Sequence, residues 1–177
     1  DEAKDHLRVD VADEDGLIAS LIPAARQHVE AFTRRALVTQ TWDLKLCGFT
    51  DTDYYEDGAI WLPFPPVSSV TSISYVDTNG DTQTWAAANY TTDLPAGPHA
   101  RRARIALAYG ISFPSVRDVL NAVTVRFVCG YGEPDAVPEG IRSAMKVLIG
   151  QWYAAREPSP VTVPTTVDAL LWPYRAY

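Results

Sequence analysis

Apolar and polar positions recur with two different periods along the chain, and each period predicts a different kind of element. Up to about residue 36, apolar side chains return at three- and four-residue spacing, which predicts an amphipathic helix over residues 13–36. Over residues 38–132 the period falls to two, and Gly, Pro, Asn and Asp interrupt it at short intervals, which is typical of β-strands. The helical period returns over residues 138–156.

This order predicts an α+β fold, because neither amphipathic helix can bury its apolar face alone. We expect the N- and C-terminal helices to pack together, with a central antiparallel β region that forms a sandwich or a curled sheet. Pro23 lacks the amide hydrogen that a helix needs, so a break or kink is expected near residues 19–22. Asp13 or Asp15 can cap the helix start. Asn79-Gly80 predicts a β-hairpin, and further strands are expected at residues 89–92, 104–108 and 122–129.

The last residues form a segment of their own character. Residues 1–160 are predicted to form one domain, and residues 161–177 an extended arm, since the segment is rich in proline. The arm carries an apolar and aromatic cluster whose members are Leu170, Leu171, Trp172, Pro173, Tyr174, Arg175 and Tyr177. One interpretation folds this tail back on its own core. The other docks it on another subunit, with Trp172 and Tyr174 as the anchor types that dominate interface energies.

Composition excludes some functions without identifying one. The chain has 177 residues and a formal net charge of −7, which argues against a protein that mainly grips duplex DNA. The acidity is local: residues 1–16 contribute −5 and residues 51–57 contribute −4, so the remainder is slightly positive. No apolar run reaches the length of a membrane span, and no signal peptide is visible. We therefore expect synthesis in a cytoplasm and no membrane association.

The sequence carries few residues in patterns typical of catalysis or ligand binding. Nucleotide-binding, hydrolase and zinc-protease motifs are all absent from the sequence. Cys47 and Cys129 are expected to be buried, reduced thiols, and His28 a packed or capping imidazole. The acidic stretch DTDYYED over residues 51–57 could hold calcium, but a solvated loop is favoured because the ligand spacing of an EF-hand is missing. We expect no enzyme activity, no catalytic residue, no metal and no cofactor.

Two surface features remain. Arg101, Arg102 and Arg104 form the densest positive charge in the chain and could contact phosphates or an acidic partner, although an ordinary hairpin tip explains them equally well. Trp42, Trp61 and Trp85 could form a stacking surface for sugars in a ligand- or carbohydrate-binding β module, which is the competing class of function. Core burial is the default for Trp42, which falls on the apolar face of its strand.

Several ordered stretches together resemble the head-tail connector (adaptor) family of tailed phages and gene transfer agents. They are LIPAARQHVEAFTRRAL, QTWDL, IWLPFPPVSSVTSISYVDTNGDTQTW, VTVRFVCGYGEPDAVPEGIRSAMKVLIGQWYAARE and LLWPYR. The resemblance runs from about Asp13 to Arg175. Pro23 departs from the family pattern, and so does the unmatched leader Asp1–Val9.

The resemblance implies a structural role in the neck of a virion. Such proteins form a ring beneath the portal, expected to be a dodecamer, and provide a platform for a stopper or tail-completion protein. It implies that the two long helices form the ring body, that residues 170–177 grip the portal, and that the β region decorates the ring or faces the next neck protein. Arg101, Arg102 and Arg104 would line a DNA channel, touching DNA transiently and without sequence specificity, or pair with a neighbouring subunit. A stopper or tail-completion protein of the same neck is the alternative.

Overall fold

The computed structural model describes residues 2–51, 53–155 and 165–176. Its helices are α1 (Glu2–Leu7), α2 (Asp15–Thr33), α3 (Glu139–Ala155) and α4 (Thr165–Leu171). Its strands are β1 (Gln40–Leu46), β2 (Tyr55–Glu56), β3 (Ala59–Trp61), β4 (Val67–Val76), β5 (Thr82–Thr84), β6 (Tyr90–Asp93), β7 (Arg104–Leu107) and β8 (Val123–Cys129). The chain therefore has the predicted α+β composition, with helices at both ends and strands between them.

The helices form one layer with its own core. α2 and α3 pack against each other and against α4, and the buried cluster between them includes Val29, Ile141, Leu148, Val167 and Leu171. These positions follow the three- and four-residue spacing of the sequence. The expected packing of the N-terminal helix on the C-terminal helix is confirmed.

α2 continues through Pro23 as one helix, so the expected break is absent. Pro23 is exposed, while Ile18 and Ala25 on either side of it are buried. Packing of the apolar face therefore offsets the one hydrogen bond that Pro23 cannot make. The capping prediction is also wrong, because Glu14 occupies the N-cap position and makes no side-chain capping hydrogen bond.

The strands form two four-stranded antiparallel sheets. The first has the order β1-β8-β4-β5 and the second β2-β3-β7-β6. Their inward side chains share one apolar cluster, with Leu44, Ile73 and Val125 from the first sheet and Ile60 and Ile105 from the second. A shared core between two sheets is the arrangement of a sandwich, the first of the two predicted forms.

The hairpin predicted at Asn79-Gly80 joins β4 to β5. Val76 pairs with Thr82, the amide of Gly80 donates to the carbonyl oxygen of Asp77, and Gly80 adopts a positive φ of 97°. The side chain of Gln83 donates to Asp77 and holds the pKa of that carboxyl below its usual value. Local turn chemistry was therefore sufficient to predict this connection.

The C-terminal tail is not extended where the structure describes it. Residues 165–171 form α4 and residues 172–174 a 3-10 turn, both packed on the helical layer. Val167 and Leu171 lie one turn apart on the face that meets the layer, so burial of this pair stabilises a helix too short to persist alone. The predicted domain end at residue 160 and the proline-rich linker around it lie outside the described residues, as does Tyr177.

Candidate functional site: two interface surfaces

The folded tail buries one side and exposes the other. Leu171 is fully buried, whereas Trp172 beside it is 58% exposed. The guanidinium of Arg175 lies 5.6 Å from the centroid of the Trp172 ring and 5.8 Å from that of Phe32. The tail therefore offers a preformed surface made of an aromatic ring and a cation, which is the chemistry enriched at interface centres.

Hydrogen bonds and a ring contact hold the tail in place. The Arg35 Nε donates to the carbonyl oxygen of Tyr174, and the amide of Ala176 donates to the carbonyl oxygen of Thr33 over 2.8 Å. The Tyr174 ring stacks on His99, with the ring centroids 4.8 Å apart. Burial lowers the pKa of Arg35 below its usual value. This arginine was not singled out from the sequence, because nothing local distinguishes it from the exposed Arg34 before it.

The predicted tail residues thus divide into three groups. Leu171 belongs to the core, and Leu170, Tyr174 and Arg175 are half-buried. Trp172 and Pro173 are exposed. The cluster is therefore shared between the chain's own core and its surface, and the fold-back interpretation of the tail applies to Leu171.

The three predicted arginines do come together around one carboxylate and one indole. Arg101 and Arg104 each place a guanidinium nitrogen 3.0 Å from Oδ2 of Asp93. The guanidiniums of Arg102 and Arg104 lie 5.8 Å and 5.6 Å from the centroid of the Trp61 ring. Three cations against one anion leave the cluster positive, and Arg101 remains largely exposed. The cluster can hold an anionic group of a partner.

The three tryptophans do not form a shared platform for a sugar. Trp85 is buried in an aromatic cluster with Phe49, Tyr90 and Phe113. Trp61 is covered by arginines, and Trp42 packs on Phe64, with the ring centroids 4.9 Å apart. The described surface therefore lacks the shared tryptophan platform that would favour a carbohydrate-binding module.

The remaining candidates for chemistry have structural roles. Asp51 accepts the amide hydrogens of Cys47 and Asp53, so this carboxylate closes its own turn. Across the described parts of the chain, no three His, Cys, Asp or Glu residues are placed to hold a metal ion. Cys47 is exposed, which corrects the expectation that both thiols are buried. Cys129 is buried, and burial raises the pKa of its thiol to about 12.

His28 packs edge-on against Trp152, with the ring centroids 6.1 Å apart. The packed imidazole expected from the sequence is therefore observed. No helix among the described residues has the length and apolar character needed to cross a membrane.

Comparison with known protein families places the chain in one family. A family model described as "Phage gp6-like head-tail connector protein" matches residues 1–94, more than half of the chain. The chain belongs to this family of head-tail connector proteins. Comparison with curated proteins found no match.

Solved structures of gene transfer agent particles contain similar chains. One, from "Virion of native gene transfer agent (GTA) particle", is 27% identical with a TM-score of 0.80, over 99% of this chain and 88% of that one. A chain from "Neck of empty GTA particle computed with C6 symmetry" is 27% identical with a TM-score of 0.79, over 99% and 88%. A chain from "Neck of native GTA particle computed with C12 symmetry" is 25% identical with a TM-score of 0.73, over 99% and 87%.

Proposed function

We propose that this protein is the adaptor of a particle neck, a ring that sits between the portal and a stopper or tail-completion protein and surrounds a DNA channel. The observation that carries the proposal is the match of 99% of the chain to chains from a gene transfer agent virion and from a gene transfer agent neck. The family is one of structural head-tail connectors, not of enzymes. A ring of twelve copies agrees with the C12 symmetry given for one of those necks.

The exposed side of the tail is the part that we assign to the portal. Trp172 supplies a large apolar surface that is already ordered, because Leu171 anchors the turn from beneath and Arg175 lies over the indole. Ordering before binding lowers the entropy cost of association. Pro173 and Tyr174 extend the same surface, and Leu170 and Tyr177 flank it in the sequence.

The arginine cluster is assigned to the channel or to the neighbouring subunit. Its guanidiniums are held by Asp93 and Trp61, so they present positive charge at fixed positions rather than on free side chains. A few fixed cations attract a phosphate backbone without reading its sequence. Such transient contact is compatible with DNA that must slide through a conduit.

Binding to purified portal tests the role of the tail. Replacing Trp172 with Ala should weaken affinity by about 30-fold or more, because truncation of a central aromatic anchor costs ~2 kcal/mol. The matched control is Trp42→Ala, which removes another exposed tryptophan from β1 and should change the dissociation constant little. Both variants should stay folded at the assay temperature, which thermal unfolding checks, because Trp42 and Trp172 are each partly exposed. Equal portal affinity for Trp172→Ala and wild type would remove the tail from the interface.

Cryo-electron microscopy of the assembled neck separates adaptor from stopper. An adaptor ring contacts the portal directly, whereas a stopper or tail-completion protein lies one ring further from the head. Density for this chain in the ring next to the portal is the expected result. Density only in a more distal ring would replace the proposal with its alternative.

A further inference from the structure

Two apolar side chains project from a tight turn directly before β8. Leu120 is 84% exposed and Val119 is 40% exposed. The turn is held on both sides by the end of β4, because the amide of Arg117 donates to the Val76 carbonyl oxygen over 3.0 Å and the Val76 amide donates to that of Ala122 over 2.8 Å. We call Val119 and Leu120 the knob. It is a preformed projection, not a loose loop.

An apolar groove lies in the helical layer, between α1, α2 and α3. Its volume is about 620 Å³, within the roughly 300–1,000 Å³ of protein binding pockets. Ile22 of α2 contributes an apolar side chain that is 43% exposed. The other apolar walls include Ile18, Ala19, Val38, Val137, Met145 and Ile149. We call this feature the groove.

The knob and the groove lie at opposite ends of β8. The strand begins at Val123, directly after the knob, and ends at Cys129. Just beyond that end, the amide of Tyr131 donates to the carbonyl oxygen of Leu37, a residue of the groove wall. Seven strand residues span roughly 20 Å at 3.3 Å per residue. One end of the molecule therefore carries an apolar projection and the other an apolar recess.

Charge adds a second element of complementarity. The Arg26 Nε at the groove is buried and donates no hydrogen bond within the described structure, with the Glu30 carboxylate 3.6 Å away. Asp118, directly before the knob, is exposed. The Arg26 side chain remains 42% exposed beside its pair with Glu30, so a carboxylate entering beside the knob can approach its guanidinium, and guanidinium groups favour such partners.

We propose that the knob of one copy of this protein occupies the groove of the next copy, and that this contact closes the ring. The inference rests on the proposed function, because it names the surface by which the ring subunits recognise each other. A projection and a recess at opposite ends of one chain make a head-to-tail interface, and such interfaces give rings when the rotation between subunits closes. Leu120 enters the groove beside Ile22, and Asp118 approaches Arg26.

Blocking the groove from its exposed rim tests the contact. Ala19 lines the groove and Ala24 of the same helix does not, and both are exposed. Ala19→Trp should reduce association between copies at least tenfold, measured by native mass spectrometry and sedimentation of the full chain alone and with portal rings. Ala24→Trp is the matched control and should assemble as wild type. Equal assembly of Ala19→Trp and Ala24→Trp would overturn the proposal.

The knob is tested in the same way. Leu120→Asp should reduce association at least tenfold, while Thr71→Asp, an exposed position on β4 with the same change of charge, should leave it unchanged. Both variants should melt as wild type, because neither side chain contributes to a buried cluster. Loss of assembly in both variants alike would point to charge rather than to the knob.

Disulfide trapping identifies the partners directly. In a Cys47→Ser background, the pair Ile22→Cys and Leu120→Cys should give a ladder of covalent oligomers when oxidised with copper phenanthroline on portal-bound rings. Cys129 is retained, because its thiol is buried and its pKa is raised to about 12. The control pair, Ala24→Cys and Leu120→Cys, should give no ladder.

The outcomes distinguish failure of the knob-and-groove contact from failure of the proposed adaptor function. Rings that form without the Ile22–Leu120 ladder overturn the knob-and-groove contact and leave the adaptor function standing. A chain that neither forms rings nor binds portal overturns the adaptor function and this contact together. A ladder with wild-type ring size supports both.

Discussion

At the scale of single residues, one glycine decides how the two layers meet. Gly130 follows β8 with a φ of 112°, and a Cβ built on it would lie 2.2 Å from the carbonyl oxygen of Val38. Its own amide donates to Pro66. Only glycine allows the backbone of Val38 to approach this closely while the chain turns from the sandwich to the helical layer.

Replacing Gly130 with Ala should therefore destabilise the protein by more than the about 1–3 kcal/mol of a strained backbone alone, as measured by urea unfolding. Gly97→Ala is the control, because Gly97 has a φ of 98° with open space around it and so carries the backbone cost without the clash. The difference between the two losses in unfolding free energy measures the cost of the clash between the new Cβ and Val38. Equal losses would mean that Val38 moves aside freely.

Sequence patterns predicted the turn at Gly80 but not the close backbone contact at Gly130. Asn79-Gly80 forms a turn by local chemistry, so its conformation is readable from neighbouring residues. The contact of Gly130 joins residues 92 positions apart, and no local pattern contains it. The same limit explains why the contacts of Arg35 and His99 with the tail were not predicted.

At the scale of elements, the long helices were predictable and the short ones were not. α2 and α3 carry 19 and 17 residues of helical periodicity, and their bounds lie within the predicted ranges. α4 has seven residues and follows a segment with three prolines, a combination that predicts an extended chain. It is helical because α2 and α3 provide an apolar surface, and that surface is a property of the tertiary structure.

Truncating Leu171 to Ala should lower the free energy of unfolding by about 2–5 kcal/mol, the range for a fully buried leucine. Leu170→Ala is the matched control, because the adjacent leucine is only partly buried and should cost much less. Thermal unfolding checks both. If Leu171→Ala melts as Leu170→Ala does, the tail does not belong to the core in solution.

At the scale of the whole molecule, charge is distributed unevenly. Glu2 of the acidic leader pairs with Arg142 and Lys146 of α3, and Lys146 holds the pKa of that carboxyl below its usual value. The leader Asp1–Val9 was expected to lie outside the family pattern, and this is corrected by the family match, which covers residues 1–94. Its helix α1 packs on α3, which leaves the arginine cluster around Asp93 as a separate positive surface.

Replacing Arg101, Arg102 and Arg104 with Ala should weaken ring formation or genome retention. The difference between this variant and wild type should be larger at about 50 mM salt than at about 500 mM, because salt screens exposed charges. Particle yield and genome content at both salt concentrations measure this. The control removes three exposed positive charges elsewhere: Arg34, Lys45 and Arg126. Identical particles from the two triple variants would assign the cluster to an ordinary solvated loop.

The separation of the two cores has a consequence for synthesis in the cell. α2 leaves the ribosome early, but the helices that cover its apolar face are α3 and α4, which begin more than 100 residues later. At roughly 5–20 residues per second, α2 waits on the order of 5–20 s for its partners. The sandwich between them is complete at Cys129 and can fold while the ribosome still holds the C-terminal residues. Chains that stall before Glu139 would expose the α2 face, and chaperones and proteases should recognise these intermediates first.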